Sequence, residues 1–229
     1  MAKKQKKTRK ELLKEPDEFI SLSGKLIGFA AAYKTQLTYG LGIILALVII
    51  FSGIRFFSIR AENTAAALLE SSLTEYNSLR AAKKPDAVYD AVSGGFQNIL
   101  QKYGGKKTAK IARLIFANIC YDAGKYEQAI NLYNTSLEDF ETYPFIRSQI
   151  LSSLGYAYEQ QKEYSTAVGY FEKISSAPGQ NQKDEALYQI GRLYKKLGQP
   201  EKSQEAYQKI LSDYPDFIFI DIVKEQISG

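Results

Sequence analysis

A small residue recurs at Ala117, Gly155 and Gly191, at intervals of 38 and 36 residues, and a fixed set of positions travels with it. Three residues on stand Cys120, Tyr158 and Tyr194; twelve on, Ala129, Ala167 and Ser203; sixteen on, Tyr133, Phe171 and Tyr207. A weaker copy, VSGGFQNILQKYGG, precedes them and places Phe96 37 residues before Tyr133. A period of this length with helical spacing inside it allows few folds. Each copy reads as a helix–turn–helix that is too small to bury its apolar face alone, so the copies must stack. The small residues let the paired helices approach closely, and each aromatic ring is expected to fill the gap between neighbouring hairpins. Gly124 and Gly198 fall at the turn within a hairpin, where a left-handed backbone is easiest for glycine. Pro144 and Pro215 are expected to stop second helices.

The flanks extend the pattern. ENTAAALLESSLTEYNSL, from Glu62, spaces Leu68, Leu69, Leu73, Tyr76 and Leu79 as one face of a helix, and RAAKKPD, from Arg80, reads as the turn after it. Beyond Pro215, DFIFIDIVKEQISG reads as a terminal helix. Its Phe217, Ile218, Ile220 and Ile222 are expected to cover the open end of the stack.

The second copy reads Leu154, Gly155, Tyr158, Tyr164, Ala167, Phe171, and the third Ile190, Gly191, Tyr194, Gly198, Tyr207, Pro215. This pattern resembles the tetratricopeptide repeat over about residues 86–216. The departures are Cys120 where tyrosine is common, Ser203 for alanine, Pro200 for the usual tyrosine, and no tryptophan anywhere. The resemblance implies a concave face lined by first helices, here Asn118, Tyr121, Tyr156, Glu159, Tyr188, Arg192 and Lys195. Tyrosines among scattered charges suit an extended peptide or a partner helix, because each ring offers apolar area and a polar tip. Ordinary solvated positions would read the same way. Leu114, one turn before Asn118, stands where a lysine–asparagine clamp for a terminal carboxylate would need its lysine.

Upstream, no charge occurs from Thr35 to Ile54, a run of 20 residues. As a helix it covers roughly 30 Å, the thickness of a bilayer's hydrocarbon core. It is apolar on every face, unlike the striped helix of a soluble core. With 34 residues before it, it is poorly placed as a cleavable signal. The small-residue pair Ala65 and Ala67 lies beyond Arg55, Arg60 and Glu62, which is no better for cleavage. An uncleaved signal anchor is the expectation.

Charge is divided unevenly. Residues 1–35 hold nine basic and four acidic residues, whereas residues 61–229 hold 19 basic and 21 acidic. The pI near 9.0 therefore belongs to the tail, and the large domain lacks the basic balance of a nucleic-acid binder. The basic tail predicts a cytoplasmic N-terminus with the repeats across the membrane, Arg55 and Arg60 snorkelling on the far flank. The lysine run MAKKQKKTRK suits anionic headgroups. FISLSGKLIGFAAAYK, from Phe19, places Phe19, Leu22, Leu26, Phe29 and Ala30 at helical spacing, and reads as an interfacial helix or an unstructured lead-in.

No reaction chemistry is legible. The chain has no histidine, so triads and histidine-based acid–base or metal sites are excluded. Cys120 is the one cysteine, at a packing position that predicts a buried thiol. GKKT at Gly105 lacks the spacing of a phosphate loop. Neither a cofactor nor a small-molecule substrate is expected.

The order of parts resembles the bacterial YfgM-like family, ancillary subunits of the Sec translocon, on the span with RAENTAAALLESSLTEYNSL and on TAKIARLIFANICYDAGKYEQAINLYNTSL. That resemblance implies a single-pass protein of the bacterial inner membrane with a periplasmic repeat domain. Its implied partners are translocon subunits, a membrane-anchored periplasmic chaperone or exported chains. A scaffold for cell-envelope assembly or division shares the topology. An organelle import receptor would face its repeats to the cytosol, which the nine basic residues make less natural. The expected architecture is all-α: a basic tail over 1–34, a transmembrane signal anchor over 35–58, and over 59–229 a solenoid of about four helix pairs with a C-terminal capping helix.

Overall fold

The computed structural model describes residues 18–177 and 182–228, whose regular structure is ten α-helices with no strand. The lysine run of residues 1–10 lies outside the described residues. The helices are α1 Glu18–Ala32, α2 Lys34–Leu79, α3 Pro85–Tyr103, α4 Lys107–Asp122, α5 Tyr126–Asp139, α6 Pro144–Gln160, α7 Tyr164–Ser175, α8 Lys183–Lys196, α9 Pro200–Asp213 and α10 Ile220–Ser228. Contacts divide the chain into two compact units at Ile59 and Arg60.

In the first unit, α2 is the one helix among the described residues long and apolar enough to cross a membrane. Its aliphatic side chains, Ile43 to Ile50 among them, lie open on all sides. The helical bonding of α1 continues through Tyr33, whose N–H donates to the Phe29 carbonyl and whose carbonyl accepts from Leu37.

In the second unit, α4 pairs with α5, α6 with α7, and α8 with α9; α3 packs on α4, α5 on α6, α7 on α8, and α9 on α10. Proline opens α3, α6 and α9, where its missing N–H has no helical partner to lose. Pro144 therefore begins a first helix. It lies five residues beyond Asp139, where α5 has already ended.

The three turns within hairpins are closed alike. Lys125, Glu163 and Gln199 donate N–H to Cys120, Tyr158 and Tyr194, and the residue before each donates to Tyr121, Glu159 and Lys195. This double closure needs a left-handed residue, supplied by Gly124 (φ 72°), Gly198 (φ 67°) and, in the middle copy, Lys162 (φ 63°). A lysine is strained there, so Lys162→Gly is expected to raise stability by roughly 0.5–1 kcal/mol. A higher urea midpoint for the full chain in detergent would show it, and an unchanged midpoint would mean the lysine strain is offset.

The small residues make the seams. A Cβ on Gly155 would stand 2.6 Å from Cε2 of Phe171, and one on Gly191 would stand 2.5 Å from Cε1 of Tyr207. The Ser203 hydroxyl donates to the Gly191 carbonyl at 2.8 Å, which is the expected meeting of small residues. Phe171 and Tyr207 thus close on the glycine of their own hairpin, a correction to the expectation that they fill the space between neighbours. Phe96 does reach across, stacking on Phe116 of α4 with ring centres 5.4 Å apart.

At the C-terminal end the cover is real, but its register differs from the expectation. Phe217 and Val223 are buried, with Ile220 and Ile227 half-buried against the same core. Ile218 is 83% exposed and Ile222 points outward. A nine-residue helix turns only two and a half times, so its buried stripe takes few residues and hydrophobicity alone does not choose them. At the other end, Glu62 caps α4: its carboxylate accepts from the Thr108 N–H at 2.7 Å, the Thr108 hydroxyl at 2.6 Å and the Lys107 N–H at 3.2 Å. The Thr108 hydroxyl leads in holding this carboxyl below its ordinary value, against the opposing effect of burial.

Candidate protein-binding face

Each first helix contributes to the face at the positions that follow its small residue by one and four. On α4, Asn118 is exposed and accepts from the buried Tyr133 hydroxyl at 2.6 Å. That bond fixes the Asn118 amide oxygen. Tyr121, half-buried, meets Tyr126 edge-on at 5.6 Å. A cleft of about 450 Å³ opens on the neighbouring turn, lined by Tyr76, Arg80, Lys83, Val88, Ile119 and Asp122.

On α6 and α8 the expected residues come together. Tyr156 stands edge-on to Phe171, and its hydroxyl donates to Glu185 at 3.3 Å. Burial first, then the Glu185 charge, pushes the Tyr156 phenol up, so it remains a donor. Glu159 is nearly buried and takes Arg192 at 2.8 Å and Lys196 at 2.7 Å. Arg192 also donates to Gln189, which donates to Glu185. Six side chains, from Tyr156 through Glu185, Gln189, Arg192 and Glu159 to Lys196, thus form one chain of charge-assisted bonds across two hairpins.

Burial pushes the Glu159 carboxyl up, but the Lys196 hydrogen bond and the Arg192 charge outweigh it and hold it below the ordinary value. A depressed carboxyl stabilises the fold above its unfolded-state pKa, and that stability is lost as pH falls through the folded one. Acid denaturation below about pH 4.5 is therefore expected to be shallower in Glu159→Gln than in the unaltered chain. Parallel curves of helical circular dichroism against pH would show that the network carries no such linkage.

The remaining two positions are engaged by the chain's own C-terminus. Tyr188 lies against Phe217 and Phe219, with ring centres 5.9 Å apart in both cases, and Lys195 donates to Gln226 of α10 at 2.9 Å. Sequence reasoning missed Glu185, Gln189 and Lys196. The signal was present: with Arg192 they stand three or four residues apart on α8, one face of one helix. Cys120 is buried in the core, and burial pushes its thiol up to about 12. At neutral pH it is not a nucleophile.

Models described as tetratricopeptide repeat match residues 116–181 and 185–216. No curated protein matches the sequence. Among solved structures, a tetratricopeptide repeat protein from Parabacteroides merdae superposes with a TM-score of 0.57 at 16% identity, over 72% of this chain and 59% of that one. The chain thus spans about three-fifths of that relative's length. BtubC (BKLC) from P. vanneervenii superposes with a TM-score of 0.50 at 11% identity, over 74% of this chain and 81% of that one. At these identities the likeness is one of fold.

Proposed function

We propose that these tetratricopeptide repeats serve as a membrane-tethered adaptor, gripping a segment of a partner protein on the face formed by α4, α6 and α8. The repeats make it a protein-interaction scaffold in outline. The observation that carries the finer reading is the row of half-buried tyrosines, Tyr121 and Tyr156, beside the cation-rich pair of turns holding Arg192 and Lys196. Aromatic rings give contact area at small entropy cost, and partly exposed cations add register. The apolar run of α2 supplies the tether, which raises the effective concentration of the face beside other membrane proteins, so weak contacts suffice.

In this reading residues 1–34 form the cytoplasmic tail, 35–58 the anchor and 59–229 the periplasmic domain, in a bacterial inner membrane. The basic excess before the run supports that orientation. The partners are translocon subunits, a membrane-anchored periplasmic chaperone or the exported chains themselves.

The test is a photo-crosslinking residue at Tyr156, with the same residue at Lys162 on the turn as control, in intact membranes. Capture of translocon subunits or an export chaperone at position 156 alone supports the adaptor in export. Capture of division or cell-wall proteins moves the same face to an envelope scaffold. Equal capture at 156 and 162 removes the face.

A further inference from the structure

We infer that α1 is seated in the headgroup boundary of the membrane, on the N-terminal side of the span, with Leu22, Leu26, Phe29 and Tyr33 turned into the lipid. The inference rests on the reading that Thr35–Ile54 spans the bilayer, and it is independent of the peptide-binding face.

The first unit carries more apolar helix than a bilayer takes end to end. From Leu22 to Ile54 the chain runs 33 residues, helical on both sides of Tyr33, with Lys25 and Lys34 its only charges. A straight helix of that length measures about 50 Å, against about 30 Å of hydrocarbon. Fitting it inside needs a tilt of roughly 53°, beyond the range of spanning helices, and it carries Lys34 well into the hydrocarbon. The uncharged run fills the core by itself, so α1 is left at its N-terminal side.

The pattern of α1 says how it lies there. At helical spacing Leu22, Leu26, Phe29 and Tyr33 share one face, whereas Gly24, Gly28 and Ala31 share the opposite one. The Tyr33 N–H donates to the Phe29 carbonyl, which keeps Tyr33 in register with the bulky face, and the two rings meet at 4.7 Å. Leu22, Leu26 and Phe29 are each more than half exposed. In water this stripe forgoes the burial that lipid offers beside it. Aromatic rings settle at the headgroup boundary, and a helix with one bulky face lies at that depth. Ile27 stands off the stripe, toward the glycine face. Lys25 is the one charge from Leu22 to Tyr33 and stands at the border of the two faces, where its stem can lie on lipid while the ammonium reaches water. Apolar area therefore drives the seating, and no anionic lipid is needed. The inference requires a bend at Tyr33, the one residue between α1 and α2.

The test uses the full chain in vesicles of phosphatidylcholine, with a polarity-sensitive fluorophore on one introduced cysteine: Leu26→Cys, Gly24→Cys or Val48→Cys. A Cβ on Gly24 meets nothing within 4 Å, so the substitution fits. Cys120 is buried and the unaltered chain serves as the blank. Nitroxide high on the acyl chains is expected to quench the label at 26 severalfold more strongly than the label at 24. Equal weak quenching at 26 and 24, with position 48 quenched by nitroxide at the chain ends, overturns the inference and leaves the span intact. Quenching of 24 and 26 from the chain ends as strong as that of 48 puts α1 within the hydrocarbon and also overturns it. An unquenched position 48 means that the span reading has failed, and the inference with it. Shielding of 26 in native membranes but not in vesicles assigns the stripe to a protein partner and overturns lipid contact.

Discussion

Phe171→Ala is expected to destabilise the repeat unit by about 3–5 kcal/mol, the cost of emptying a buried aromatic site. The ring is 1% exposed and packs on Gly155 and Tyr156, so nothing nearby can collapse into its place cheaply. The same site makes the sign of a second change depend on the first. In the unaltered chain Gly155→Ala should destabilise, because the overpacking cost of about 1–3 kcal/mol exceeds the roughly 1 kcal/mol that alanine gains over glycine inside a helix. In the Phe171→Ala background the clash is gone, and Gly155→Ala should stabilise. Urea denaturation of the four full-length chains in detergent reads the cycle. Additive effects would show that the ring and the glycine do not meet.

The second large effect lies in the apolar run. Ile44→Lys combined with Val48→Lys puts two charges one turn apart at the middle of the uncharged run of α2, each adding about 2.5–3.5 kcal/mol to the cost of insertion. That sum exceeds what the rest of the run can spare, so the doubly substituted chain should be released by alkaline carbonate while the unaltered chain stays in the membrane pellet. Retention of the substituted chain would mean that α2 does not hold the protein in the bilayer.

The spacing of Ala117, Gly155 and Gly191 was enough to read the hairpins, because the same close approach recurs in each and only small residues permit it. The residues of the face were legible as positions but not as a network. A glutamate on a helix reads the same whether it is solvated or buried, and the partners of Glu159 lie 33 and 37 residues away, about one repeat onward. Lys162 carried no sign of its left-handed backbone except its alignment with Gly124 and Gly198. The outward Ile218 and Ile222 were misplaced for a different reason: past the last full repeat no period fixes the register.

The closure of Phe171 and Tyr207 on the glycines of their own hairpins has an evolutionary consequence. A hairpin sealed by its own residues is a portable part. Duplication of one unit of 36–38 residues would lengthen the recognition surface while the seams of Gly155 with Phe171 and of Gly191 with Tyr207 kept both their halves, and loss of a unit elsewhere would shorten it on the same terms. Such a gene can change the size of what its product grips by recombination alone, before any point substitution refines the fit.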